Sequence, residues 1–225
     1  MNILVLHASE NTDKPDATGA FIPEAINFAK HRTSKGDVVQ VIPYKNNLPK
    51  AKRFTEFLKL IENANDFDTF VYFGHGLRTG LPSAGITQAN RKQFTDLLMK
   101  KSKNKKKLIV TLYACSAGET TTAQPAGEGG FADKMRDDFV DNGYVDGWID
   151  AHTVAAHATQ NPYLRRFYLS KEQEAYGGSW LVPPGSPEFS VWRKRLNEKW
   201  KTDPFRFDFV YMNAADVLAG CAKWW

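Results

Sequence analysis

The chain has 225 residues, of which 42% are hydrophobic and 24% charged, and its formal net charge is +5. These proportions are typical of a folded domain with a substantial core and exclude a largely disordered chain. No run approaches the roughly 18 consecutive apolar residues of a membrane span, and the N-terminal residues lack the basic start of a signal peptide, so neither is expected.

The first two thirds of the chain alternate between strand and helix patterns. Short apolar runs rich in β-branched and aromatic residues predict strands at residues 2–8, 38–44, 69–74, 108–114 and 147–152. Apolar residues at helical spacing predict helices at 23–31, 50–64 and 131–142, and another that Thr87 caps and that ends near Lys101. This alternation predicts a mostly parallel central sheet with helices on both faces, a three-layer α/β/α fold.

Beyond about residue 160 the alternation stops. Ser186 and Pro187 predict the start of a helix, residues 205–212 alternate like a strand, and Cys221 falls in an apolar helical stretch. We interpret residues 161–225 as a C-terminal elaboration on a core of residues 1–160, so that residues 1–225 form a single domain. Cys115 and Cys221 are the only cysteines, which favours a reducing, cytoplasmic location over a disulfide framework.

Much of the positive charge lies in a lysine run at residues 100–107. The run follows a predicted helix, where lysines interact favourably with the C-terminal end of the helix dipole. No zinc finger or RNP motif accompanies it. We therefore interpret the run as a solvated helix end and do not expect a nucleic-acid partner.

Two of the predicted strands end in chemically reactive residues. One is followed by His75 and Gly76, and the other by Cys115. Ligands bind at the C-terminal edge of open α/β sheets, so we expect the imidazole and the thiol to meet there if the strands are neighbours. Cysteine hydrolysis needs a thiol nucleophile, a proton carrier and donors for an oxyanion. Cys115 and His75 are the catalytic candidates, and the backbone N–H groups of Gly76 and Cys115 are the candidate oxyanion hole.

These segments resemble the paired motifs of the caspase-like (clan CD) cysteine peptidases. The sequence YFGHG at 72–76 is similar to their hydrophobic block ending in His-Gly, and LYACSAG at 112–118 to their block ending in Ala-Cys. The sequence GEGG at 127–130, leading into a helix, resembles the bacterial CHAT-type domains most closely. The resemblance implies a caspase-like fold and an endopeptidase acting on protein or peptide substrates without a cofactor, in regulated proteolysis, cell death or defence. It also implies that Cys115 attacks the peptide carbonyl and that His75 protonates the leaving amine.

Three further positions are candidates for substrate binding. Tyr113 stands two positions before Cys115, where caspases have Gln and metacaspases commonly have Asp, so neither preference transfers to this chain. His152 ends the fifth predicted strand at the same edge as Cys115. The resemblance also implies a pocket residue in the loop after the first strand, where this chain offers Asp13, Lys14 and Asp16, with Asp13 as the candidate.

The next polar concentration is formed by Asp150, His152 and His157. The five-residue spacing of the two histidines is not a helical i, i+4 pair, and the HExxH pattern is absent, so no metal site is predicted. The glycines at 127–130 lack the lysine and serine of a phosphate-binding loop. The alternative to an enzyme is a catalytically silent caspase-like binding or scaffold domain.

Overall fold

A computed structural model of the protein describes residues 1–10, 18–121, 129–154, 164–170 and 190. Its main strands are β1 (Asn2–Ala8), β2 (Val38–Tyr44), β3 (Thr69–Phe73), β6 (Lys107–Tyr113), β7 (Asp146–His152) and β8 (Leu164–Tyr168). They form one six-stranded sheet in the order β2-β1-β3-β6-β7-β8. All neighbouring pairs are parallel except β7 with β8, which is antiparallel.

Helices lie on both faces of this sheet. They are α1 (Thr18–Ser34), α2 (Lys50–Asn63), α3 (Arg91–Lys101) and α4 (Phe131–Asp141). Phe28 of α1 packs against Phe73, whereas Phe57 of α2 packs against Tyr72, with ring centroids 6.0 and 6.1 Å apart. Successive strand residues point to opposite faces, so α1 covers one face and α2 the other. The predicted three-layer α/β/α fold with a mostly parallel central sheet is therefore confirmed.

The core sits on the central strands of the sheet. Every residue of β3 is buried, and so is most of β1. Strands that are covered on both faces consist of continuous apolar residues rather than alternating apolar and polar ones. For this reason these strands could be predicted from the sequence. Burying each large side chain contributes on the order of 2 kcal/mol, so these strands provide a rigid frame for the residues at their ends.

Several element boundaries differ from the sequence expectation. Helix α1 begins at Thr18 and contains Pro23, although proline is more typical of a first helical position. Thr87 is not the cap of α3, because it lies in a short hairpin of β4 (Gly80–Leu81) and β5 (Ile86–Thr87). Asn90 immediately precedes α3, and its Oδ1 accepts a 2.7 Å hydrogen bond from the Thr87 N–H.

Little of the predicted C-terminal elaboration falls in the described part of the chain. Strand β8 and Ser190 are described there. The helix expected at residue 186, the strand expected at 205–212 and the helix around Cys221 lie outside the described residues. Across the ranges given above, no helix has the length and apolar character needed to cross a membrane.

Candidate active site

The candidate active site lies where β3 and β6 end side by side. The two strands are parallel neighbours, their last register pair is Phe73 with Tyr113, and the Gly74 N–H donates to the Tyr113 carbonyl at 3.4 Å. His75 and Cys115 each follow two residues after this pair. Adjacent strands are about 4.8 Å apart, so the register brings the imidazole-bearing and thiol-bearing segments together at the C-terminal edge of the sheet. Both residues are half-buried.

Gly76 lies directly against the cysteine segment. A Cβ on Gly76 would be 2.6 Å from the Ala114 Cβ and 2.6 Å from the Cys115 carbonyl oxygen. Only a residue without a side chain allows the two backbones to approach this closely. In the described ranges the Gly76 N–H has no hydrogen-bond acceptor. This donor lies beside Cys115, where a developing negative charge would need it.

The turn after Cys115 is tightly constrained. Ser116 has a φ of 53°, a left-handed conformation that is uncommon for residues other than glycine. The Gly118 N–H donates to the carbonyl of His152 at 2.8 Å, which ties the turn to the end of β7. A Cβ on Gly118 would be 2.6 Å from the Ala151 carbonyl oxygen, so this contact also requires glycine. The cysteine is thus presented on a bend fixed by the neighbouring strand.

Helix α4 holds the same turn from the other side. The Ala132 N–H, in its first turn, donates to the Ala117 carbonyl at 3.0 Å. Gly129 donates its N–H to the buried Asp133 carboxylate at 2.7 Å, and Gly130 has no space for a Cβ against the Glu119 backbone. The two described glycines of the GEGG segment therefore dock α4 onto the cysteine turn, while residues 127 and 128 lie outside the described part.

His75 is held through its backbone and its ring. The Tyr72 hydroxyl donates to the His75 carbonyl at 3.2 Å and accepts a 2.8 Å hydrogen bond from the Tyr44 hydroxyl. Burial raises the pKa of both phenols, so both remain protonated donors. Gly74 has no space for a side chain beneath the two phenols. The Phe21 ring of α1 meets the His75 ring edge-on, with centroids 5.3 Å apart.

The three candidate substrate-binding residues are placed differently. Tyr113 is buried and stacks on Phe73 with ring centroids 4.6 Å apart, so its ring is part of the core on the α1 face. His152 lies at the end of β7, on the expected edge, but is only 1% exposed, with its ring 6.1 Å from that of Tyr113. Asp13 lies outside the described residues.

One titratable residue near the site was missed by the sequence reasoning. Glu24 on α1 is fully buried, and burial raises its pKa to about 8. The pKa of the nearby Tyr113 phenol is raised chiefly by burial, and to a smaller extent by the Asp150 and Glu24 carboxyls. Glu24 is three residues after Phe21 and four before Phe28, which places it on the buried stripe of the helix. This spacing could have identified Glu24 as buried from the sequence.

Asp150 has a structural partner on the neighbouring strand. It accepts two hydrogen bonds of 2.8 Å from Arg166, and both side chains are buried. The Arg166 guanidinium also stacks over the Trp148 ring at 4.1 Å. His157 lies outside the described residues, and within them no three His, Cys, Asp or Glu side chains are grouped to hold a metal ion.

The lysine run lies at the opposite edge of the sheet, where α3 ends and β6 begins. The Lys105 ammonium donates to the carbonyl of Ser102 at 2.6 Å and to two carbonyls at the end of α3. Lys101 pairs with Asp66 at 2.7 Å, and Lys107 with Asp146 at 2.9 Å. Lys105 thus closes the C-terminal end of α3, as the helix dipole favours.

Comparison with known proteins does not place the chain in a family. No protein-family model matches it, and no curated protein matches it. Seven chains of solved structures match. One is an aromatic amino acid aminotransferase with 3-indolepropionic acid, at 14% identity and a TM-score of 0.38, covering 93% of this chain and 57% of the aminotransferase chain. The chain thus spans little more than half the length of that enzyme, and a likeness this weak carries no argument about function.

Proposed function

We propose that the chain is a caspase-like cysteine endopeptidase in which Cys115 is the nucleophile and His75 the proton carrier. The observation that carries the proposal is the register of β3 and β6, which gives His75 and Cys115 matched positions at one sheet edge. A second feature supports it, because Gly76 brings a backbone N–H against the cysteine segment, where an acyl-transfer reaction needs a donor.

The reaction begins when the Cys115 sulfur bonds to the substrate carbonyl carbon and the thiol proton passes to His75. The carbonyl oxygen becomes an oxyanion, which the N–H groups of Gly76 and Cys115 would stabilise. The intermediate collapses when the C–N bond breaks and His75 gives its proton to the leaving amine. Water then attacks the thioester, with His75 accepting a proton from it, and the second product leaves as a carboxylic acid while the thiol is restored.

The decisive experiment compares wild type with Cys115→Ala and His75→Ala on a peptide library, with Cys221→Ala as the matched control. We expect wild type and Cys221→Ala to cleave the same peptides and the two site variants to lose at least about 1,000-fold in rate. Equal turnover by wild type and Cys115→Ala would exclude the assignment. A folded wild type that binds peptides without cleaving any would instead support the silent binding domain.

Alkylation tests the nucleophile without a substrate. A thiol at the cleft edge is more accessible to iodoacetamide than one packed in a core, and it reacts faster. We expect mass spectrometry to find Cys115 modified well before Cys221. Preferential modification of Cys221 would argue against Cys115 as the nucleophile.

A further inference from the structure

A cleft of about 600 Å³ opens between α2 and the segment that directly follows the candidate catalytic histidine. We call it the α2 cleft, and its lining includes Lys50, Arg53, Leu77, Thr79, Pro82 and Ile86. The chain from His75 to Leu77 extends at most about 7 Å, since an extended residue spans at most about 3.6 Å. An extended peptide bound at Cys115 therefore reaches the α2 cleft within a few residues.

The charge of the α2 cleft is of one sign. Lys50 and Arg53 line it, and among the described residues no Asp or Glu belongs to its lining. The two cations are three residues apart on α2, so they lie on the same face of the helix. Neither forms an ion pair with a carboxylate of the described residues; the Arg53 guanidinium instead donates to the carbonyls of Leu48 at 2.6 Å and Pro82 at 3.4 Å. An anionic group entering the cleft would meet the two positive charges of Lys50 and Arg53.

The walls of the α2 cleft are preorganised. Gly85, with a φ of 72°, lies so close to α2 that a Cβ would be 2.8 Å from the Phe54 nitrogen. Asn90 donates to the Gly85 carbonyl at 3.0 Å and fixes the turn. On the other wall, Leu77 and Gly80 exchange two backbone hydrogen bonds of 2.9 and 3.1 Å. Preformed walls bind a ligand with little loss of conformational entropy.

We propose that the α2 cleft is a substrate subsite that binds an acidic segment, with Asp or Glu side chains a few residues from the scissile bond. The proposal rests on the peptidase function proposed above. Apolar contacts come from Leu77, Pro82 and Ile86, which suits peptide side chains interspersed with the acidic ones. Lys50 and Arg53 supply the charge complementarity that selects carboxylates over neutral or basic groups.

The test measures binding separately from catalysis by using Cys115→Ala protein. Its probe is a ten-residue peptide of alternating Glu and Leu with a neutral dye, compared by fluorescence anisotropy with the same peptide carrying Gln for Glu. We expect the Glu peptide to bind at least 10-fold tighter, and its affinity to fall as salt rises. Lys50→Glu should weaken it at least 10-fold, whereas Lys52→Glu, the same change on an exposed residue of α2 outside the cleft, should change it less than 2-fold.

Equal binding of the two peptides, or equal effects of the two lysine variants, would overturn the subsite. Inorganic phosphate that binds in a Lys50-dependent way while the Glu peptide does not would overturn it in favour of a small-anion site. Arg53→Gln is a second variant that should weaken binding of the Glu peptide. A thermal melt verifies that each variant folds. Failure of binding while wild type still cleaves peptides refutes only the subsite. Binding without any cleavage refutes the peptidase and leaves the α2 cleft as a binding site for acidic peptides.

Discussion

The backbone of Gly76 lies against that of Cys115, so closely that a Cβ on the glycine would be 2.6 Å from the cysteine carbonyl oxygen. This contact joins the segment after β3 to the segment after β6 at the point where the proposed reaction occurs. It fixes the position of a backbone donor relative to the thiol without any side chain between them.

Gly76→Ala should therefore impair both catalysis and stability. The new methyl group overlaps backbone atoms that cannot rotate away, so the donor must shift relative to Cys115. We expect kcat/KM for peptide cleavage to fall about 100-fold, comparable to the loss of one oxyanion donor. Gly36→Ala is the control, because a Cβ at Gly36 has no heavy atom within 4 Å and its φ of 84° makes the change destabilising, so it should lower stability without lowering kcat/KM. Full activity of Gly76→Ala would remove Gly76 from the oxyanion hole.

The parallel strands could be predicted from the sequence because burial on both faces leaves long apolar runs. The short hairpin β4–β5 and the antiparallel strand β8 were missed for the opposite reason. Two-residue strands such as Gly80–Leu81 carry no periodicity, and the Leu164–Tyr168 strand contains two arginines that mask its buried character. Arg166 is buried only because Asp150 on the adjacent strand pairs with it, a long-range contact that no local pattern reveals.

At the site, the positions of His75 and Cys115 at strand ends were predictable, because both follow clear apolar runs. The environment of Tyr113 was not predictable. The face of the sheet that its side chain occupies depends on the position at which the strand ends. The α2 cleft was also beyond the sequence, because Lys50 and Leu77 meet only through the fold.

Tyr72→Phe tests how the histidine segment is held. The change removes the hydroxyl that donates to the His75 carbonyl and leaves the buried Tyr44 hydroxyl without its 2.8 Å acceptor. Loss of a buried hydrogen-bond partner costs about 1–3 kcal/mol of unfolding free energy. We expect urea unfolding to show this loss of unfolding free energy in Tyr72→Phe, together with a roughly 10-fold lower kcat/KM.

Tyr44→Phe separates stability from positioning. It removes a donor to Tyr72 but keeps the Tyr72 hydrogen bond to the His75 carbonyl. It should lower the unfolding free energy by about 1–2 kcal/mol and change kcat/KM less than 3-fold. Equal losses of activity in both variants would show that Tyr72 acts through general stability rather than by positioning His75.

Ser116 tests the strain in the turn that presents the cysteine. Its φ of 53° costs a non-glycine residue about 1–2 kcal/mol. Ser116→Gly should therefore leave the unfolding free energy unchanged or raise it by up to about 1 kcal/mol, whereas Ser116→Val should lower it by about 1–3 kcal/mol because β-branched residues tolerate this region least. Urea unfolding of wild type and the two variants measures the order of their unfolding free energies. A valine variant as stable as wild type would contradict backbone strain at Ser116.

Glu24→Gln should change the pH dependence of stability. Burial raises the pKa of Glu24 from its ordinary 4.5 to about 8, so the folded state keeps a proton that the unfolded chain releases above pH 4.5. Rising pH therefore favours the unfolded state, by up to about 1.4 kcal/mol per pH unit until the folded-state pKa is passed. Glutamine carries no such proton, so the stability gain of the variant should be small at pH 4, grow between pH 5 and 8 and then level off.

Glu56→Gln, at an exposed glutamate of α2, is the control and should show no such growth. A difference that stays constant from pH 4 to 9 would contradict a buried, proton-holding Glu24.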